Sequence, residues 1–429
     1  MAESLNKPVD GKTVVLGLQH TFVMFGATVL VPILTGLDVG VTLFAAGVGT
    51  WLFHILTKFQ MPVFLGSSFA FLPPIFAVAA AHGGDLAYAT GGIVLAGVVY
   101  VVVSIIFTFV HYDWLHKILP PHVTGPIIIL IGLILAPVAI GNITGDAASG
   151  IVEAIGRNGA WLIAALTFAA GVVVKVGFER MGWKFASQLP VLIALIFGYI
   201  IAIIAGVVDF SVVAESSWIG LPGFMAPKFS ATAIALTVPV AIVTVVEHFG
   251  DVVAIGNVVK RDFFKSPGIN RTLLGDGLAT TFSALIGGPA NTTYSENTGA
   301  VALTGVYNPW VMRIAAIFAI LLSFIPKFTG LIQTIPAPVI GGISILLFGM
   351  ISSIGIRNMV DAKVNLDDPK MLIIVAAILV IGLGGATFTA GETFELSGLG
   401  LAALVGILLN LLINFRSFKE DVVHRQYDE

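Results

Sequence analysis

Apolar runs of about 20 residues, the length that crosses the hydrocarbon of a bilayer as a helix, recur along the whole chain. They fall at 14–35, 39–57, 61–81, 88–110, 123–142, 159–177, 187–207, 231–254, 269–287, 290–304, 308–326, 335–356, 371–388 and 396–415, which predicts fourteen transmembrane segments. Short polar turns separate them, and none is long enough to hold a soluble domain. Two runs are interrupted. The third contains Gly66-Ser67-Ser68-Phe69-Ala70-Phe71-Leu72-Pro73-Pro74, and the tenth contains Asn291-Thr292-Thr293-Tyr294-Ser295-Glu296. Such residues are poor material for a continuous helix. At membrane depth, broken backbone survives only where protein or a water-filled cavity covers it.

The interrupted runs are third in the first seven and third in the second seven. Breaks at matching positions of two halves point to the binding site of a secondary transporter. Seven is odd, so the halves have opposite topology. The expected fold is therefore all-α and polytopic, a 7+7 inverted repeat over roughly 14–207 and 231–415, with the site where the broken spans meet.

Composition agrees with the pattern. The chain is 57% hydrophobic and only 10% charged, with mean hydropathy +1.01, against about 25% charged residues in a soluble domain. It is an integral membrane protein. With no Cys, thiolate catalysis and Cys-ligated metals are excluded. The net charge of −3 and the lack of a basic block argue against nucleic acid as a partner. Met1 to Lys12 is polar and leads straight into the first run, so no cleaved signal peptide is expected. A cytoplasmic N-terminus places all but three of the 21 Lys and Arg on the cytoplasmic side, the exceptions being Arg157, Lys228 and Lys327. Both termini are then expected in the cytoplasm.

Between Arg271 and Arg313 the only acids are Asp276 and Glu296, with no Lys or His. An acid at membrane depth is costly and usually faces a cavity where it has work to do. Glu247 and Asp251 are four apart, hence neighbours on one helix face. Two carboxylates this close cannot both ionise cheaply, and a carboxyl able to hold a proton inside a membrane is what a proton-coupled carrier needs. Alternatively, Asp251 lies solvated at the cytoplasmic mouth of its span. Asp276, between Gly275 and Gly277, reads as a structural acceptor, and His20 as a helix–helix hydrogen-bonding group. His54, His82, His111, His116 and His122 lie near span ends and receive no role. No metal-ligand spacing and no nucleophile–base motif occurs, so neither a metal, a cofactor nor an enzyme is expected. Half-helix N-termini at the broken spans offer free N–H groups, and Phe69 offers an aromatic face. Carboxylate acceptors, backbone donors and an aromatic ring suit a small planar molecule with both N–H and C=O groups, such as a nucleobase. No Lys or Arg is expected in this pocket, which argues against an anion.

These residues resemble those of a known family, the nucleobase–ascorbate transporters, or nucleobase:cation symporters of the second class. That family's signature is Gln/Glu/Pro-Asn-x-Gly-x-x-x-x-Thr-Arg/Lys/Gly. It stands complete here from Glu296-Asn297-Thr298-Gly299 to Thr304-Gly305. The likeness extends to Gln19-His20, Phe25-Gly26-Ala27-Thr28-Val29-Leu30-Val31-Pro32, Gly66-Ser67-Ser68-Phe69-Ala70-Phe71, Glu247-His248-x-Gly250 and Asn291-Thr292-Thr293-Tyr294. With Glu at the first motif position, the chain is most similar to the bacterial uracil-permease branch.

The resemblance implies a core of spans 1–4 and 8–11 (14–110 and 231–326) moving against a gate of spans 5–7 and 12–14 (123–207 and 335–415). It also implies short antiparallel strands in spans 3 and 10 and a homodimer through the gate. Glu247 and Glu296 would accept from uracil N–H groups, and the backbone N–H groups of Phe69 and Ser295 would donate to its carbonyls. Ala27, Tyr294 and Phe348 would line the ring. Asp251 with Glu247 would couple protons, and His20, Asp276, Asn297 and Thr304 would support the site. Three positions depart from the branch: Asp251 stands where a uracil permease has His, Ser295 where Gly commonly precedes the motif Glu, and Phe348 where Tyr is common. The resulting expectation is a proton-driven uracil importer of the bacterial inner membrane. Xanthine or urate as substrate, sodium as the coupling ion, and an anion carrier or channel of the same fold are the alternatives.

Overall fold

The computed structural model describes residues 9–109, 117–390 and 394–414. Lys7, His111, His116, Arg416, Lys419 and Arg425 lie outside the described residues, as do the two ends of the chain.

Helices α1 (Gly11–Thr35) and α2 (Val39–Leu56) open the chain. Asp10 caps α1 by accepting from Thr13 N–H at 2.8 Å, and Asp38 caps α2 by accepting from Val41 N–H at 2.7 Å, each satisfying a donor that the first turn leaves free. The third predicted span is a strand, β1 (Leu65–Ser67), a 3-10 turn at Phe69–Phe71 and the short helix α3 (Leu72–Ala81). Pro73 and Pro74 sit at the start of α3, where a missing N–H costs little. Then follow α4 (Leu86–Phe109), α5 (Pro121–Ile134), α6 (Ala136–Thr144), α7 (Ser149–Val172) and α8 (Pro190–Ile204).

The second half begins with α9 (Ala231–Val259), capped by Ser230 Oγ on Ala233 N–H at 3.1 Å, and continues with α10 (Ile269–Leu285). The tenth predicted span is a strand, β2 (Asn291–Thr293), and the short helix α11 (Ser295–Thr304). After it come α12 (Trp310–Ser323), α13 (Pro326–Gln333), α14 (Ala337–Asp361), α15 (Pro369–Leu383), the hairpin β3 (Thr387–Ala390) and β4 (Phe394–Ser397), and α16 (Gly398–Ile413). The hairpin departs from the expected span 371–388: the apolar pattern predicts helix to residue 388, but the chain turns at Gly385 (φ 63°) and enters β3. Among the described residues, six helices are long and apolar enough to cross a membrane, or seven with α12 and α13, bent by 86°, taken together. The other predicted spans are shorter or broken helices.

β1 and β2 pair antiparallel, with Leu65 opposite Thr293, Gly66 opposite Thr292 and Ser67 opposite Asn291. Each broken segment satisfies the other's backbone, which is how strand survives away from water. α10 packs along α4 and α2, and α9 along α4. The α10–α4 contact is close enough that a Cβ at Gly277 would meet Tyr100 Cβ at 2.6 Å. α14 packs against α5, α6 and α7. The strand pair therefore sits among α1, α2, α9 and α10, with the helices starting at Phe69 and Ser295 leading away from it.

Candidate functional site

Glu296 stands in the first turn of α11 and Glu247 midway along α9. Both are half-buried, and both line one cavity of about 320 Å3. Phe69, Asp251, Tyr294 and Ser295 line it too. Among the described residues neither Glu247 nor Glu296 hydrogen-bonds to another side chain; they are acceptors left facing the cavity. Tyr294 adds its ring, while its hydroxyl turns back to donate to Ser67 O at 2.9 Å.

Asp251 is not a solvated mouth residue. It is buried, and both carboxylate oxygens are engaged. Thr293 Oγ1 donates to Oδ2 at 2.8 Å, and Ser295 Oγ donates to Oδ1. Phe348 lines neither this cavity nor its neighbour; it is buried behind Phe69, with ring centroids 6.1 Å apart in an edge-on contact. Ala27 lies in the adjoining cavity of about 350 Å3, which shares Ser295 and Glu296 with the first.

The supporting residues form a layer behind the wall. Asn297 is fully buried and its Nδ2 meets His20 Nδ1 at 3.2 Å, tying α11 to α1. Asp276 is also fully buried, accepting from His248 Nδ1–H at 2.8 Å and from Thr293 N–H at 3.4 Å. Thr304 does not reach the cavity. It donates to Ala300 O at 2.9 Å in the last turn of α11, before Gly305 turns the chain at φ 64°. The ten-residue signature is thus one short helix: its acid faces the cavity, its Asn faces α1, and its Thr-Gly closes the end.

One expectation is overturned. The pocket was expected to lack Lys and Arg, yet Arg357 of α14 lines both cavities and Lys175 lines the second. Asp361 stands with Arg357 at the first, and both are exposed, so the cavity runs out to that end of α14. Counting charges only along the broken span omitted what a distant helix brings to its mouth. His54 lies in the last turn of α2, as expected of a span-end residue, and is fully buried there with Nε2 at 2.8 Å from Val63 O.

His248 follows Glu247 on α9 but faces α10. It bridges Asp276 and Thr272, its Nε2 lying 2.9 Å from Thr272 Oγ1. The link from Thr293 and Ser295 to Asp251 also went unread, although side chains two apart in extended backbone share a face. Gly66 has a geometric reason: a Cβ there would meet Tyr294 Cζ at 2.5 Å and Thr28 Oγ1 at 2.8 Å. Gly66→Ala is expected to push the Tyr294 ring out of place, costing about 1–3 kcal/mol as overpacking. A lowered thermal unfolding midpoint in detergent would register it, and an unchanged midpoint would contradict the packing described.

Residues 11–391 match the family model described as "Permease family". The uracil permease of Bacillus caldolyticus is 44% identical over 419 residues, covering 95% of this chain and 93% of that protein. The uracil permease of Bacillus subtilis (strain 168) is 41% identical over 413 residues, covering 95% and 93%. Among solved structures, the transmembrane domain of the cyanobacterial bicarbonate transporter BicA superposes with TM-score 0.67 at 15% identity, over 94% of this chain and 97% of that one. SLC26A9 superposes with TM-score 0.69 at 12% identity, over 94% of this chain and 65% of that one. At such identities the last two show a common fold and nothing about substrate. The chain belongs to the permease family, whose named relatives are transporters and not enzymes.

Proposed function

We propose that this protein imports uracil across the bacterial cytoplasmic membrane, coupled to proton entry by alternating access. The observation that carries the substrate is the pair Glu247 and Glu296, two acceptors without side-chain partners facing one cavity beside Phe69 and Tyr294. The relatives named uracil permeases support the choice of base. Uracil presents two ring N–H groups and two carbonyls. The N–H groups go to the two carboxylates, the carbonyls to backbone N–H groups of Phe69 and Ser295 at the starts of the two broken helices, where the helix dipole favours acceptor atoms. Phe69, Tyr294 and Ala27 line the ring, with Phe348 backing Phe69. Asp251 carries the coupling proton, with Glu247 beside it.

In this reading the chain crosses the membrane fourteen times as an inverted repeat with cytoplasmic termini. Residues 14–110 and 231–326 form the moving core; 123–207 and 335–415 form the gate, which also joins two copies. The cavity reaches Arg357 and Asp361 on the cytoplasmic side of that topology.

Binding of radiolabelled uracil to purified protein, competed by cold uracil, thymine and xanthine at two pH values, tests the proposal. Displacement by uracil-like pyrimidines, with pH-dependent affinity, is expected. Displacement of labelled xanthine without uracil binding would move the protein to oxo-purines, and a dependence on sodium in place of pH would replace the coupling ion.

A further inference from the structure

Asp251 is gripped at both ends of one three-residue stretch. Thr293 Oγ1 donates to Oδ2 and Ser295 Oγ donates to Oδ1, while Tyr294 between them is anchored on the opposite side to Ser67 and Thr28. Ser295 is also the residue before Glu296, and it lines both cavities, half-buried where Thr293 is buried. One hydroxyl thus touches the coupling acid and the substrate chamber. We propose that Ser295 is a proton-controlled donor: it gives its hydroxyl hydrogen to Asp251 when that acid is ionised, and to a substrate carbonyl when that acid is protonated.

The step follows from hydrogen-bond counting. An ionised carboxylate only accepts, and a hydroxyl has one hydrogen to give. With Asp251 ionised, that hydrogen of Ser295 is committed to Oδ1. A hydronium ion entering the open cavity gives its proton to Oδ1 and leaves as water, and the new O–H donates to Ser295 Oγ, which accepts through a lone pair. The Ser295 hydrogen is released and turns about Cβ–Oγ into the cavity. No bond other than the new O–H forms, and Thr293 keeps Oδ2 in place. The Ser295 hydroxyl therefore joins the backbone donors facing the substrate only after the proton has bound, which makes proton and substrate binding mutually favourable.

Other titratable and charged groups surround Asp251. Glu247 and His248 stand on its own helix, Asp276 on α10, Glu296 on α11 and Tyr100 on α4, and Arg357 and Asp361 lie across the cavity on α14. Among the described residues, only the hydroxyls of Thr293 and Ser295 hydrogen-bond to its oxygens.

The inference rests on the uracil and proton reading above, and the test keeps the two apart. Labelled-uracil affinity is measured over a pH series for the wild type, Ser295→Ala, Ser295→Thr, Asp251→Asn and the Ser295→Ala/Asp251→Asn double variant. Wild-type affinity is expected to fall as pH rises, by up to about tenfold per unit for one linked proton. Ser295→Ala should flatten that slope to less than about twofold, and Ser295→Thr, which restores the hydroxyl, should restore it. Asp251→Asn, whose amide donates to Ser295 as the protonated acid does, should bind without pH dependence, and adding Ser295→Ala should weaken it about tenfold, the worth of one good hydrogen bond. A Ser295→Ala variant with the wild-type slope, a double variant as tight as Asp251→Asn, or a Ser295→Thr variant lacking slope or binding would each overturn the switch and leave the substrate reading intact. A wild type that binds no uracil would overturn that reading itself.

Discussion

Glu247→Ala is expected to abolish measurable uracil binding in an otherwise folded protein. Glu247 reaches the cavity from the middle of α9, and its carboxylate bonds to no other side chain among the described residues. Removing it leaves fold contacts largely intact and takes away an acceptor from the substrate. A ring N–H that has left water without a new partner costs about 1–3 kcal/mol, and loss of a charge-assisted bond adds a similar amount. Together these come to about 2–5 kcal/mol, or on the order of 30- to several-thousand-fold in Kd. Wild-type-like affinity in this variant, by equilibrium binding with purified protein, would remove Glu247 from the substrate site. Glu247→Gln separates the two contributions. It keeps an acceptor oxygen and loses the charge, so it should fall between wild type and Glu247→Ala.

Much of this arrangement was legible in the chain, because a bilayer penalises polar groups so heavily that each one must have a reason. The interrupted runs around Gly66 to Pro74 and Asn291 to Glu296 became the paired strands and short helices. Glu247, Asp251 and Glu296, isolated among apolar neighbours, came together at one cavity. What could not be read depended on where distant elements end. Sequence spacing alone leads one to expect Arg357 in a cytoplasmic turn, and nothing local says that the last turns of α14 reach the cavity. His248 stands between Glu247 and Phe249, so its helix face was clear but its partners on α10 were not. Helix length misled at the hairpin after α15, because Ala386 to Phe388 are as apolar as a helix end. Phe348, expected to line the ring, lines neither cavity and packs against Phe69, a distinction of one layer that no spacing encodes.

Asp251→Asn is expected to separate binding from concentrative transport. The carboxylate is buried between Thr293 and Ser295, and Asn fits the same space with an amide that can keep one bond and return another. The shape of the site is preserved, so uracil should still bind. The variant has no group at this position to carry a proton through the cycle. Uracil is neutral, so in the proposed symport the membrane potential acts on the proton alone, at about 2.3 kcal/mol per charge per 100 mV. One proton per uracil then sustains an inside-to-outside ratio of about 40-fold for each 100 mV, since 1.4 kcal/mol is tenfold. Without the proton the ratio relaxes to one, whatever the rate. Proteoliposomes with an imposed proton gradient provide the measurement: wild type should accumulate labelled uracil above the external level and release it when an uncoupler is added. Asp251→Asn should exchange labelled for unlabelled uracil across the membrane yet reach no more than the external concentration, with or without uncoupler. Uphill accumulation by the variant at the wild-type level would take the coupling role from Asp251. Glu247 would then be the next carboxyl to examine, since it shares the helix face and the cavity.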